Sequence, residues 1–381
     1  MKKAYYWCPF IGNVATVRAV LNSAKSLKIY SKNKIEPSII NVAGEWNIKK
    51  EIIKKNNINL IDFQNNIIEK LPTKGFLLSR LTYFIIFFFS VLKLHKLLKE
   101  HKPDYLIVHL ITSIPLVLLI IFNYKTKIIL RVSGYPKLNF FRTILWKLAR
   151  NKLFMITCPT NMTLNLLKEK KIFDSTKLCY LPDPILEVRE IIKKKQHETL
   201  IDNFTKKNTI LSIGRLTNQK NFNFLLECFN EIVKTKSELN LFILGDGEQK
   251  NFLEKKIKKL NLQNKVFLTG YKNNVFKYLK NCRFFILTSK YEDPGFVLIE
   301  AGFMNKTVIS SDCPNGPIEL IEKNKNGYLF ESDSINDFIR VFDQAYNESN
   351  ESLLKKKISF KKKCKEFTIF QHFLRIKKIL H

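Results

Sequence analysis

Two carboxylates, Glu292 and Glu300, stand eight positions apart around the turn Asp293-Pro294-Gly295. Upstream, Gly214, Arg215 and Lys220 occupy the segment that follows a separate apolar run, 209–213. A guanidinium can grip phosphate oxygens bidentately, and an ammonium adds a compact point charge. A diphosphate gains negative charge as the bond to it breaks, so fixed cations beside it favour the transition state over the ground state. Carboxylates, in turn, accept hydrogen bonds from sugar hydroxyls. The set describes a pocket with a cationic wall for a diphosphate and a carboxylate wall for a sugar. For Glu300 the alternative is an exposed helix residue, and its apolar neighbours Leu298, Ile299 and Ala301 argue against it.

These residues need elements to hold them. In open α/β sheets, ligands bind beyond the carboxyl ends of strands, where helix N-termini point. Strands are expected at 209–213, 239–244, 266–268, 284–288 and 307–310, with helices between them. The clearest helix is 221–233, where Phe222, Leu225, Leu226, Phe229, Ile232 and Val233 share one stripe. Each motif then falls just after a strand. Gly245-Asp246-Gly247-Glu248 and Gly270-Tyr271 close two others, glycine permitting close backbone approach. The segment Gly316-Pro317-Ile318-Glu319 reads equally well as a turn that caps a helix. In the first half, 4–7, 38–42, 105–109, 127–132 and 153–157 read as parallel strands, with helices at 15–27 and 77–98. That alternation describes a doubly wound sheet.

From about Thr209 to Phe330 the motifs resemble the retaining glycosyltransferases of family 4, the glycosyl transferases group 1. The resemblance implies a GT-B fold: two facing Rossmann-like doubly wound domains with a cleft between them. It implies an acceptor-binding domain at 1–185, a linker at 186–207, a nucleotide-sugar domain at 208–350, and basic helices at 351–381 that pack back on the first domain. It implies that Arg215 and Lys220 contact the donor diphosphate and that Gly295 and Phe296 offer backbone N–H groups to it. Glu300 would hold the ribose hydroxyls, and Glu292 would lie near the transferred sugar as a positioning group, not a nucleophile. Gly214, Gly245 and Gly247 would border the donor pocket, with Gly270 and Tyr271 near the base. In the first domain, Gly12 and Asn13 form the loop before the first helix. Relatives carry a His-Gly or His-Asp element where this chain has Ser133-Gly134, so His109 or Arg131 could take the sugar-contacting part. For His109 a half-buried strand-end histidine is the plainer reading.

Composition narrows the partners. The 381 residues suit two α/β domains better than one. The formal net charge is +32, of which residues 1–200 carry +21 and the remainder +11. Such a chain could meet nucleic acid, an anionic membrane or anionic small molecules. No zinc spacing, base-stacking aromatic motif or repeat of basic heptads is present, which sets nucleic acid aside. Seven scattered cysteines without a CxxC pair suggest reduced, buried thiols in a cytosolic protein. No metal site is apparent: an Asp-x-Asp motif is absent, and Asp183 and Asp202 stand alone. Helix N-termini, Arg215 and Lys220 would take a cation's place, with no cofactor beyond the donor.

Two stretches are apolar enough to raise the question of a membrane. Residues 83–92 are too short to span, and 106–123 are divided by His109, Thr112, Ser113 and Pro115. Pro115 would sit at the first turn of a helix. The first stretch, followed by Lys93, Lys96 and Lys99, suits a segment at the headgroup level, and a core helix with a lysine-rich end is the equal alternative. The expectation is therefore a cytoplasmic, metal-independent hexosyltransferase, peripheral on the inner face of the plasma membrane. Its donor would be a nucleotide sugar, expected to be UDP-linked. Its acceptor would be a lipid-linked or oligosaccharide glycan of lipopolysaccharide, capsule or another cell-surface polysaccharide. The alternatives are a nucleotide-sugar epimerase or hydrolase on the same fold, which would consume donor without acceptor, and a non-catalytic scaffold, which would bind donor without turnover.

Overall fold

The apolar runs become the middle strands of two parallel sheets. The computed structural model describes residues 1–10, 15–63, 76–196, 204 and 208–381, with the side chains of 76–84 and 87 left aside. The chain divides into two units: Met1–Ile185 with Ile369–His381, and Leu186–Thr368.

The first unit contains β1 (Lys2–Trp7), α1 (Ala15–Tyr30), β2 (Ile35–Asn41), α2 (Lys50–Lys55), β3 (Asn59–Asp62), α3 (Phe76–Glu100), β4 (Tyr105–Val108), α4 (Ser113–Ile121), β5 (Lys127–Arg131), α5 (Phe140–Ala149), β6 (Met155–Cys158), α6 (Asn161–Glu169) and β7 (Leu178–Tyr180). Its sheet runs β3-β2-β1-β4-β5-β6-β7, all parallel, so the strand order reverses between β1 and β4. The second unit contains α7 (Val188–Lys194), β8 (Thr209–Ile213), α8 (Phe222–Thr235), β9 (Asn240–Leu244), α9 (Lys250–Lys259), β10 (Val266–Leu268), α10 (Phe276–Asn281), β11 (Phe284–Leu287), α11 (Phe296–Phe303), β12 (Thr307–Ser311), α12 (Gly316–Ile321), β13 (Tyr328–Phe330), α13 (Ile335–Asn347) and α14 (Asn350–Cys364). Its sheet order is β10-β9-β8-β11-β12-β13, reversing between β8 and β11. The last helix, α15 (Ile369–Ile379), returns to the first unit.

Strands buried on both faces explain why the sequence shows runs rather than alternation. Every residue of β4, β8, β11 and β12 is buried. On α8, Phe222, Leu225, Leu226, Phe229 and Ile232 pack into the second core as their spacing implies. The short strands β3, β7 and β13 were not anticipated. The stretch 186–196, expected as linker, contributes α7 to the second unit, and Leu186 bridges Thr368 in parallel.

The basic tail needs a correction. It was expected to pack back on the first domain as a whole, but α14 stays with the second unit. Gly302 of α11 leaves a flat surface, and a Cβ there would lie 2.5 Å from the Phe360 ring and 2.7 Å from Cys364 Sγ. These two residues, one turn apart, are the buried ones of α14, while its lysines are half-buried or exposed. Of the tail helices, α15 packs on α1. Its Phe373 and Ile376, with Leu380, join the core of β1 and β4, and the Leu380 carbonyl accepts a 2.8 Å bond from the Tyr105 hydroxyl.

A polar chain crosses that core. His372 Nδ1 lies 2.8 Å from the Pro182 carbonyl and so carries the proton there. Its Nε2 then accepts from Ser23 Oγ at 2.8 Å, and Ser23 accepts from the Tyr6 hydroxyl at 2.8 Å. Burial is the main cause that pushes His372 down to about 3. Nearby, Glu45 closes the end of β2 by accepting from the Val42 and Ala43 amides, and burial pushes its carboxyl up to about 7.

These two groups oppose each other in acid. The lowered histidine favours the folded state at high pH, and its contribution is lost as pH falls from 6.5 toward about 3. The raised carboxyl favours the folded state at low pH, and its contribution is lost as pH rises from 4.5 through about 7. Each can change stability by about 1.4 kcal/mol per pH unit inside its window. Glu45→Gln should therefore steepen the loss of stability toward acid between pH 4.5 and 6.5, as read by urea denaturation. An unchanged profile would remove Glu45 from this balance.

All seven cysteines are free, and six are buried. Among the described residues no helix is long and apolar enough to cross a membrane. Within 83–92, Ile86 and Ser90 are buried whereas Phe88, Phe89 and Leu92 are exposed. Pro115 lies in the first turn of α4, which starts two residues earlier than expected.

Candidate active site

The second unit gathers its motif residues at the carboxyl ends of the two strands that flank the reversal of strand order. The segment after β8 carries Gly214, Arg215 and Lys220, and the segment after β11 carries Glu292 and Gly295. Lys220 Nζ and Glu292 Oε1 form an ion pair across that point, their side chains 14% and 8% exposed. Ser289 Oγ donates to the same carboxylate oxygen at 2.6 Å, and Ser311 Oγ in turn donates to the Ser289 carbonyl at 2.7 Å. Thr288 Oγ1 donates to the Lys220 carbonyl at 3.0 Å. The serines were not singled out in the sequence, because a Ser three residues before a Glu has no distinctive pattern.

Three loops stack beside this pair, and glycine makes that possible. A Cβ on Gly245 would fall 1.8 Å from the Gly214 carbonyl oxygen, and one on Gly247 would fall 2.5 Å from that of Leu216. The Leu216 amide donates to Asp246 O at 2.9 Å, and the Gly245 amide to Gly270 O at 3.0 Å. The segments after β8, β9 and β10 are thereby tied into one edge. Arg215 stands exposed on it, with no side-chain hydrogen bond or ion pair among the described residues. Tyr271 is likewise exposed.

Gly295, at φ +93°, precedes α11, and no side chain caps that helix. The positive end of the α11 dipole therefore lies beside Glu292, whose Cβ is 3.4 Å from where a Gly295 Cβ would be. Glu300 follows in the second turn and is buried. Gly316 explains itself sterically: a Cβ there would lie 1.7 Å from the Pro294 carbonyl oxygen. Its amide donates to the Glu292 carbonyl at 3.2 Å. The Gly316 segment thus both starts α12 and braces the turn that carries Glu292.

In the first unit, Gly12 and Asn13 lie outside the described residues. His109, Arg131 and Ser133 line one cavity of about 1230 Å3 at the carboxyl ends of β4 and β5, beside the point where that sheet's order reverses. His109 is buried with Nδ1 unpartnered, and burial together with Arg131 and His372 holds it well below the usual histidine range. The expectation for Arg131 needs correction. Its guanidinium turns inward to the Leu181 carbonyl and to Asp183, the latter at 2.6 Å. It ties β5 to the segment after β7 and is not a free sugar contact. Asp183, read as solitary, is its partner. Among the described residues no cluster of three metal-ligating side chains occurs.

Residues 186–365 match the model of the family described as glycosyl transferases group 1. An uncharacterized glycosyltransferase of Methanocaldococcus jannaschii is 33% identical over 249 residues, 60% of each chain. A Campylobacter jejuni enzyme, N-acetylgalactosamine-N,N'-diacetylbacillosaminyl-diphospho-undecaprenol 4-alpha-N-acetylgalactosaminyltransferase, is 31% identical over 222 residues, 56% of this chain and 59% of that one. The chain thus spans about three-fifths of the length of these relatives. The crystal structure of Anabaena HepE in complex with UDP covers all of this chain and 99% of its own, with a TM-score of 0.73 at 15% identity. The fold is that of the GT-B glycosyltransferases, and the second unit is a glycosyl transferases group 1 domain.

Proposed function

We propose that this chain is a retaining glycosyltransferase moving a hexose from a UDP-linked donor to a lipid-linked or oligosaccharide acceptor in cell-surface polysaccharide or lipopolysaccharide synthesis. The observation that carries the reading is the buried Lys220–Glu292 pair beside the uncapped start of α11, at the strand-order reversal of a group 1 domain. A diphosphate laid on that edge would meet the Lys220 ammonium, the Arg215 guanidinium and the α11 amides. These are donors fixed before reaction, which stabilise charge that grows on the leaving group. Glu292, held by Lys220 and Ser289, would position the transferred sugar, and Glu300 would hold the ribose. No residue is assigned as a nucleophile, and retention follows the family reading of the motif. A leaving phosphate oxygen would take the acceptor's proton on the same face. The protein's own cations and helix end would take the place of a metal ion.

UDP in the HepE complex supports the choice of base, and the diphospho-undecaprenol in the Campylobacter enzyme's name supports a lipid-borne acceptor. The excess positive charge of the first half supports a peripheral position on an anionic, cytoplasmic membrane face. UDP at 100 times its dissociation constant should stabilise the protein by about 2.7 kcal/mol in thermal unfolding. Glu300→Ala should abolish that shift. If UDP, GDP and ADP all leave the midpoint unmoved, the donor-pocket reading fails.

A further inference from the structure

Helix α5 is apolar on two sides. Its Trp146 and Ala149 are buried against the first unit. Phe140, Phe141, Ile144 and Leu148 are exposed, Phe140 by 73% and Phe141 by 82%. At 100° per residue these four positions fall within an arc of about 100°, a single continuous stripe. A helix facing only water has no reason to carry it. Phe88 of α3, 65% exposed, lines the same cavity as Phe141, so the stripe continues onto a second element.

Charge identifies what covers the stripe. From residue 105 to residue 168 the chain contains nine lysines and arginines and no aspartate or glutamate. On α5 Lys147 is exposed beside the apolar positions, and Arg150 is exposed just past the helix end. A second copy would bring the same positive field and be repelled. An anionic bilayer would be attracted, and its acyl boundary would accept the phenylalanines.

We infer that α5, with the exposed part of α3, is a membrane-insertion surface: Phe140, Phe141, Ile144 and Leu148 enter the headgroup–acyl boundary of an anionic bilayer while the flanking basic residues pair with lipid phosphates. This deepens the membrane location in the proposed function and does not depend on the transfer chemistry. It also makes attachment hydrophobic as well as electrostatic, which charge alone would not.

The test is co-flotation of the full chain with phosphatidylcholine vesicles, with and without phosphatidylglycerol, in the absence of nucleotide. The wild type should float with the anionic vesicles and keep part of its binding in high salt. Phe140→Ser with Phe141→Ser should lower the bound fraction at least roughly tenfold at either salt concentration. Lys147→Gln with Arg150→Gln should lower it at low salt and leave the salt-resistant part. In a Phe141→Trp variant the added indole emission should shift to the blue on anionic vesicles. Unchanged flotation of the serine pair, no flotation of the wild type, or no emission shift would each overturn the assignment. So would a wild-type dimer that the serine pair dissociates. Protection by UDP, measured on the serine pair, reports the second unit separately, so loss of that protection with flotation intact would count against the transferase reading alone.

Discussion

A Lys220→Ala variant is expected to lose about 3–5 kcal/mol of folding stability together with its activity. The size follows from what is left behind. Glu292 is 8% exposed at its side chain, and its carboxylate is met by Lys220 and the Ser289 hydroxyl. Removing the ammonium leaves a buried negative charge with one neutral donor, and stranding such a charge costs far more than the pair contributed. The lysine stem also fills space: its Cγ and Cδ lie 3.1 Å from where a Gly214 Cβ would be, so truncation loosens the segment after β8. Urea denaturation of three proteins separates the effects. Lys220→Ala should be strongly destabilised, and adding Glu292→Gln should restore much of the loss because the stranded charge is gone. Turnover should stay low in both. A Lys220→Ala protein as stable as wild type would show that the pair is not buried as a unit.

Arg215→Ala should do the reverse. The side chain is exposed and has no ion pair or hydrogen bond among the described residues, so stability should change by no more than about 0.5 kcal/mol. Turnover should fall on the order of 100-fold, the loss typical of one donor aimed at developing charge. The informative measurement is kcat alongside the donor KM. A fall in both kcat and kcat/KM with little change in KM marks an interaction made in the transition state. Wild-type-like turnover would end the diphosphate assignment for Arg215. Two cations five residues apart thus have distinct expected behaviour, one stabilising the fold and the site together, the other serving the site alone.

How far these residues could be read before the fold was known depended on distance along the chain. Arg215, Lys220, Glu292 and Glu300 were legible because local context placed each after an apolar run and beside Gly or Pro. That Lys220 and Glu292 touch was not legible, since 72 residues separate them and only the sheet order brings β8 next to β11. The same limit hid Asp183 from Arg131, and His372 from Ser23, 349 positions away. Short edge strands escaped for a different reason. Asn59–Asp62 is only partly buried and carries polar ends, so it shows neither a run nor an alternation. The tail was misread because its lysines dominate the composition, while two residues, Phe360 and Cys364, decide what α14 covers.

The order in which the chain is made follows from one feature of its path. Leu186–Thr368 is an insertion into the first unit, and its two ends lie side by side where Leu186 bridges Thr368. On the ribosome the inserted segment can close on itself as soon as Thr368 is free of the exit tunnel. The first unit must wait longer, because Phe373, Ile376 and Leu380, which follow the inserted segment, are part of its core. The unit that begins to emerge before the other is therefore completed after it.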